Sequence, residues 1–267
     1  MRHHGFRRLG KSPWTVILLG TTLLSFVVLL QPALNGQVVP AAARQTDLDQ
    51  PLAWLKEARR NYSVVKDYTC TLVSQENVRG KLQEQNVMQF KMKTEPFSIH
   101  MRWIAPEKNQ NQEVAFVLGK NNNKMRVRSN ILGGKIFVSI DPNDKRVMEH
   151  SRHTILEAGI GNMIEQHINQ WEKDRAIGKT KVNIPAAEHV YAGRKCYKVE
   201  LIRTERNSAF YCHRTVIYLE KESKIPIRLE NYDWPRKGGP EGGELLEMFG
   251  YVNLQFNTGL KDAEFDK

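Results

Sequence analysis

The sequence predicts an α+β, mainly β domain: a strongly curved antiparallel sheet with two amphipathic helices covering its concave face. Three observations predict it. Hydropathy alternates with period two in many short segments between Asp67 and Phe256, and Gly, Pro or Asn clusters between them let the chain reverse. Only two segments, one from Asp49 and one from Thr154, carry apolar residues at three- and four-residue steps. Many strands with few helices must curl or close to hide an apolar face.

The chain opens with Arg2, Arg7, Arg8 and Lys11, then an apolar run from Trp14 to Leu30, then Ala41, Ala42 and Ala43. This reads as an export signal, long for a cleaved one and slightly short for a full membrane span. Cleavage near Val39 to Ala43 would release a periplasmic protein. An uncut run would tether the same domain on the outer face of the inner membrane. No Cys follows at a lipoprotein cleavage position. Residues 1–43 are therefore expected to be signal or anchor, and 44–267 one β-rich domain.

Asp49 and Pro51 start the first helix, with Leu52, Leu55, Ala58, Tyr62 and Val65 as its stripe. Strands are expected near 68–78, 86–93, 97–104, 113–119, 124–129, 135–140 and 145–150. Arg79-Gly80, Glu95-Pro96, Asn121 to Asn123, Gly133-Gly134 and Asp141 to Asp144 separate them. Met88, Phe90 and Met92 share one face, as do Phe97, Ile99, Met101 and Trp103; Gln89, Lys91, Lys93, Ser98, His100 and Arg102 form a wet face opposite. Thr154 and Glu157 read as a capping box for the second helix. Its stripe runs through Leu156, Ile160, Met163, Ile164, His167, Ile168 and Trp171 to a stop at Gly178. Further strands follow near 179–184, 195–203, 211–220, 225–233 and 245–256, with a Gly-rich loop, mobile by composition, between Pro235 and Glu244.

The full chain of 267 residues carries +11, and 44–267 still carries +7, because residues 1–43 hold four basic and no acidic residues. Export removes nucleic acid as a partner, and the basic residues are scattered, as on a solvated surface. Cys70, Cys196 and Cys212 are too few for a disulfide scaffold and form no CxxC. A hairpin centred on Thr204 would set Cys196 opposite Cys212 for a disulfide and one centred on Arg206 would part them, so register decides; three small buried thiols are the plainer expectation.

Asp67 to Val73, Glu95 to Ser98 with Met101 to Trp103, Ile225 to Arg228 and Tyr232 to Pro235 resemble an exported bacterial family classed as domain of unknown function 1571, over nearly all of 50–267. The ending from Asn257 to Asp266 resembles the close of LolA-type lipoprotein carriers. The resemblance implies an unclosed β-barrel with a helical lid and an apolar cavity. It brings no catalytic residue with it.

Enzyme motifs are missing: there is no GxSxG, HExxH or P-loop. His150, His153 and His167 could be gathered into a metal site, but no neighbouring Cys or carboxylate completes the set in sequence, so surface or capping histidines are expected, with no metal and no cofactor. Gly238-Gly239 and Gly242-Gly243 lack the Lys and helix start of a phosphate loop. Glu76, Glu84, Glu113 and Glu149 show no pairing. The expected function is non-enzymatic binding of a hydrophobic ligand, lipid or a lipoprotein's acyl chain. Met88, Phe90, Met92, Phe97, Ile99, Met101, Trp103, Phe116 and Met125 would line the half-barrel, with Ile160, Met163, Ile164 and Trp171 as lid. The alternative is a membrane-tethered structural or sensory module that binds an envelope protein.

Overall fold

Short turns lay most strands beside their predecessors, so the sheet grows as a run of hairpins. The computed structural model describes residues 44–46, 48–129 and 136–267. The export signal and the Gly133-Gly134 turn lie outside them. In chain order the strands are β1 Arg44–Thr46, β2 Asp67–Val78, β3 Lys81–Leu82, β4 Asn86–Lys93, β5 Ser98–Ala105, β6 Glu113–Val117 and β7 Met125–Arg128. They continue as β8 Phe137–Ile140, β9 Thr180–Ile184, β10 His189–Tyr191, β11 Arg194–Arg203, β12 Arg214–Glu220, β13 Pro226–Tyr232 and β14 Leu245–Phe256. The helices are α1 Asp49–Tyr62, the single turn α2 Lys145–Met148 and α3 Ile160–Ile177.

Among the described residues the strand pairings are antiparallel, in the order β1-β9-β11-β12-β13-β14-β2-β4-β5-β6-β7-β8, with β10 on β11 and β3 on β2. β1 and β8 end the path without meeting, so the sheet is unclosed. Helix α1 buries Leu52, Leu55 and Ala58, and α3 buries Ile160, Met163, Ile164, Ile168 and Trp171, in one cluster with the inward residues of the sheet. Lys56–Glu172 at 2.6 Å and Arg175–Asp49 at 3.0 Å tie the two helices together. Among the described residues, no helix is long and apolar enough to cross a membrane.

Four expectations need correction. Residues 145–148 form a helical turn instead of a strand, because the Asp144 carboxylate accepts from the Arg146 amide and starts a helix. The Thr154 hydroxyl caps a separate 3-10 turn, Ile155–Glu157; Gly159, at φ 101°, breaks the chain before α3, which leaves Leu156 exposed. The wet face of β4 and β5 is covered in part: Ser98 and His100 are buried beside Glu113 of β6, while Gln89 and Arg102 are exposed. The C-terminal segment lies against this region through Lys91–Glu264, Lys93–Asp262 and Lys120–Asp266. Finally, Cys196 pairs across β12 with Glu220, so the hairpin centres on neither Thr204 nor Arg206; all three cysteines are free and buried.

The loop after Pro235 is tied at its base by the Asp233 amide donating to the Glu244 carbonyl at 2.8 Å. Gly243 sits at φ 84°, with the Asp233 carbonyl where a Cβ would stand.

Candidate functional site

Inward side chains fill one end of the half-barrel and leave the other hollow. At the filled end Tyr68, Phe90, Met92, Ile99 and Phe116 are buried, and the Tyr68 hydroxyl accepts from the Ile160 amide at 3.0 Å, fixing the start of α3 to β2. At the other end lies a cavity of about 1060 Å³. Leu72, Met88, Met101, Trp103, Met125 and Ile140 give it an apolar sheet wall, and Met163 and Trp171 on α3 face that wall.

The sequence-derived lining residues therefore divide. Met88, Met101, Trp103 and Met125, with Met163 and Trp171 of the lid set, border the cavity. Phe90, Met92, Ile99, Phe116, Ile160 and Ile164 do not; they belong to the packed core, and Phe97 packs edge-on against Phe116 with ring centroids 6.1 Å apart. Met92 touches the backbone at Gly159, where a Cβ would fall 2.4 Å from its sulfur.

A polar row crosses the floor of the cavity, and inspection of single strands did not find it. The inward positions of β12, β13, β14 and β2 meet in direct register: Thr215 opposite Asn231, Asn231 opposite Glu247, Glu247 opposite Glu76. Arg203 extends the row from β11, donating to Thr215 at 2.7 Å and pairing with Asp174 of α3 at 2.6 Å. Thr215 donates to Asn231 at 2.8 Å, and Asn231 to Glu247 at 2.8 Å. Each of these groups has lost water and needs the next, so the row acts as one network. The signal available in sequence was a lone polar residue at an inward position near a strand end. Register turns five such residues into a site.

His153 closes the row from above. It lies 2.7 Å from Glu247 through Nε2 and 2.7 Å from Glu157 through Nδ1, bridging the sheet to the turn before α3. Burial alone would lower its pKa, but the hydrogen bonds of Glu247 and Glu157 and the charges of Glu247 and Glu76 outweigh burial and push it up to about 9. Burial would raise the pKa of Glu247; His153, Asn231 and Tyr211 instead hold it below the usual carboxylate range. Glu76 has less support, and burial pushes its pKa up.

The expectation that no carboxylate stands beside the histidines is thus corrected: Glu76, His153 and Glu247 offer ligand atoms within 4.8 Å of one another. Their chemistry is nevertheless that of a filled ion-pair site. Glu247 Oε2 already accepts from His153, from the Tyr211 hydroxyl at 2.9 Å and lies 3.3 Å from Arg152 Nε. A metal here would have to displace the proton that Glu247 and Glu157 hold on His153. His150 is exposed on the cavity rim, and His167 is held by the Met163 carbonyl at 2.8 Å within α3.

No match to a curated protein was found. Among solved structures, the chain is similar to the Mycobacterium tuberculosis lipoprotein LppX, with TM-score 0.47, 9% identity, and 82% of this chain and 100% of that one covered. It is also similar to an uncharacterized conserved protein from Thermus thermophilus, with TM-score 0.45, 10% identity and coverage of 82% and 93%. A LolA superfamily protein from Nitrosomonas europaea gives TM-score 0.35, 9% identity and coverage of 80% and 96%. Residues 65–267 match the family described as protein of unknown function (DUF1571), and the chain belongs to that family.

Proposed function

We propose that this is a non-enzymatic protein of the cell envelope that binds a hydrophobic ligand, lipid or a lipoprotein's acyl chain, in the cavity between β2, β4 to β8 and α3. The observation that carries the reading is the cavity itself. At about 1060 Å³ it is not closed up by the residues around it, although Met88, Met125, Met163 and Trp171 are all buried. That size is at the upper end of the roughly 300–1,000 Å³ that ligand pockets occupy. Methionine supports it further: an unbranched, polarizable side chain re-packs around a flexible chain at small cost. The basic start and apolar run of residues 1–30 support delivery to the envelope, and the sequence resemblance to LolA-type carriers points the same way.

Native mass spectrometry of the protein recovered gently from the envelope, followed by organic extraction, tests this. A discrete lipid mass at near-unit stoichiometry is expected, lost in Met101→Lys, which puts a charge on the apolar wall. Bare protein that takes up no added lipid would overturn the reading and favour a protein-binding module.

A further inference from the structure

The inference that follows rests on the cavity holding an apolar chain. We infer that it selects an amphiphile with a protonated amine head, seated against Glu76, over a carboxylate-headed amphiphile of the same chain length.

The charged donors on the cavity floor are taken up by groups other than Glu76 Oε1. Arg203 is spent on Asp174, in a pair with almost no exposed surface. Glu247 is saturated by His153, Tyr211, Asn231 and Arg152. His153 bridges Glu247 and Glu157, and Arg152 also reaches the Asn77 carbonyl at 3.1 Å. Glu76 differs. Its Oε1 is out of contact with solvent and accepts no hydrogen bond. An acceptor in that state has given up water without replacement, a cost that is larger when the group is charged.

The Ser151 side chain and the Arg152 backbone support the Glu76 carboxylate, but no donor reaches Oε1. Of the three carboxylates here Glu157 is exposed, and the two cations beside Glu76 and Glu247, Arg152 and His153, both bond Glu247, so neither is left for Glu76 Oε1. The other cations bordering the cavity, Lys108, Arg146 and Lys173, are exposed; Lys108 pairs with Glu84 and Arg146 with Asp144. A ligand head that is cationic and rich in N–H donors completes Glu76, and an anionic head adds a fourth negative charge.

One group pulls the other way. Trp171, with no exposed surface, borders the same cavity, and its Nε1–H also lacks a partner. A carboxylate head would satisfy that indole while facing Glu76. An unpaired buried ion costs more than an unpaired neutral donor, so Glu76 sets the preference. The geometry also separates specific from non-specific binding. The chain is basic overall, at +11, so general attraction favours the carboxylate, and an amine preference runs against it.

The test is equilibrium binding of dodecylamine, dodecanol and dodecanoate, each below its micelle threshold, to the protein as recovered from the envelope, at neutral pH. Dodecylamine is expected to bind on the order of tenfold more tightly than dodecanoate, with dodecanol between them. Glu76→Gln should bring amine and carboxylate within about threefold, and an unchanged circular-dichroism spectrum reports an intact fold. If Glu76→Gln fails to fold, the ratio in the unsubstituted protein decides alone. Dodecanoate binding as tightly as dodecylamine, or a ratio untouched by Glu76→Gln, overturns the inference and leaves the cavity reading standing. Failure of all three amphiphiles to bind overturns the cavity reading as well.

Discussion

The two ends of β2 stand on the same strand beneath the same helix, yet one is filled and the other hollow. At the first end Tyr68 is buried against Phe90, Tyr251 and Phe256, with ring centroids 5.8 to 6.4 Å apart, and its hydroxyl is used by α3. At the second end the inward positions pass through Leu72 and Ser74 to Glu76, and the space above them is the cavity. The difference lies in side-chain volume and polarity at equivalent places in the pleat. Large apolar groups interdigitate at one end, whereas at the other the inward positions of β2 carry the short Ser74 and the charged Glu76, which leave the space open. A sheet can therefore be core and container at once, with the boundary falling near Cys70 and Leu72.

Truncation should expose that boundary most strongly. Phe90→Ala, at the filled end, is expected to destabilise the fold by about 3–5 kcal/mol, because it leaves a void among packed neighbours. Met101→Ala, on the half-buried cavity wall, should cost about 1 kcal/mol or less, since it enlarges a space already present. Urea midpoints of the two variants measure the contrast, and equal losses would erase it.

The His153 bridge gives a smaller, pH-dependent effect. Its pKa in the folded protein, about 9, lies above the value of about 6.5 for a free imidazole. Its contribution to stability is thus fully present below about pH 6.5, declines as pH rises, and is gone above about 9. Glu247 acts in the opposite sense: its lowered pKa contributes above the ordinary carboxylate range and is lost as pH falls through the depressed folded value. Thermal melts between pH 6 and 10 should show a fall that is shallower in His153→Gln. Parallel curves would show that the bridge is not titrating.

The smallest change in stability is expected from Ser74→Leu, which puts apolar volume into the hollow end. Stability should stay within about 1 kcal/mol of the parent protein, because an existing space accepts the side chain. Ligand capture should nevertheless fall sharply. Calorimetry and lipid extraction on one preparation would check both, and unimpaired capture would place the ligand elsewhere.

Much of this fold was legible in the sequence because period two and turn chemistry are local. The ranges of β2, β4, β11 and β14 follow from alternation alone, and Gly178 ends α3 in the left-handed conformation expected of it. The split between core and cavity was not legible. Met92 and Met101 look alike in an alternating strand, and only the position of α3 along the sheet makes one a plug and the other a wall. The polar row was hidden for a related reason. Glu76, Asn231 and Glu247 are single exceptions in three strands, joined by the long β13–β14 connection and by the pairing of β14 with β2, which is remote in sequence. The helical turn at 145–148 was missed because the Asp144 cap outweighed a short apolar alternation.

The most direct test is a crystal structure with 12-bromododecan-1-ol, whose neutral head keeps the result independent of any preference for charge. The account predicts an anomalous bromine peak inside the hollow end, between the wall of Met88, Met101 and Met125 and the face of α3 that carries Met163 and Trp171. Bromine found only on the outer surface, with the cavity unchanged, would contradict it.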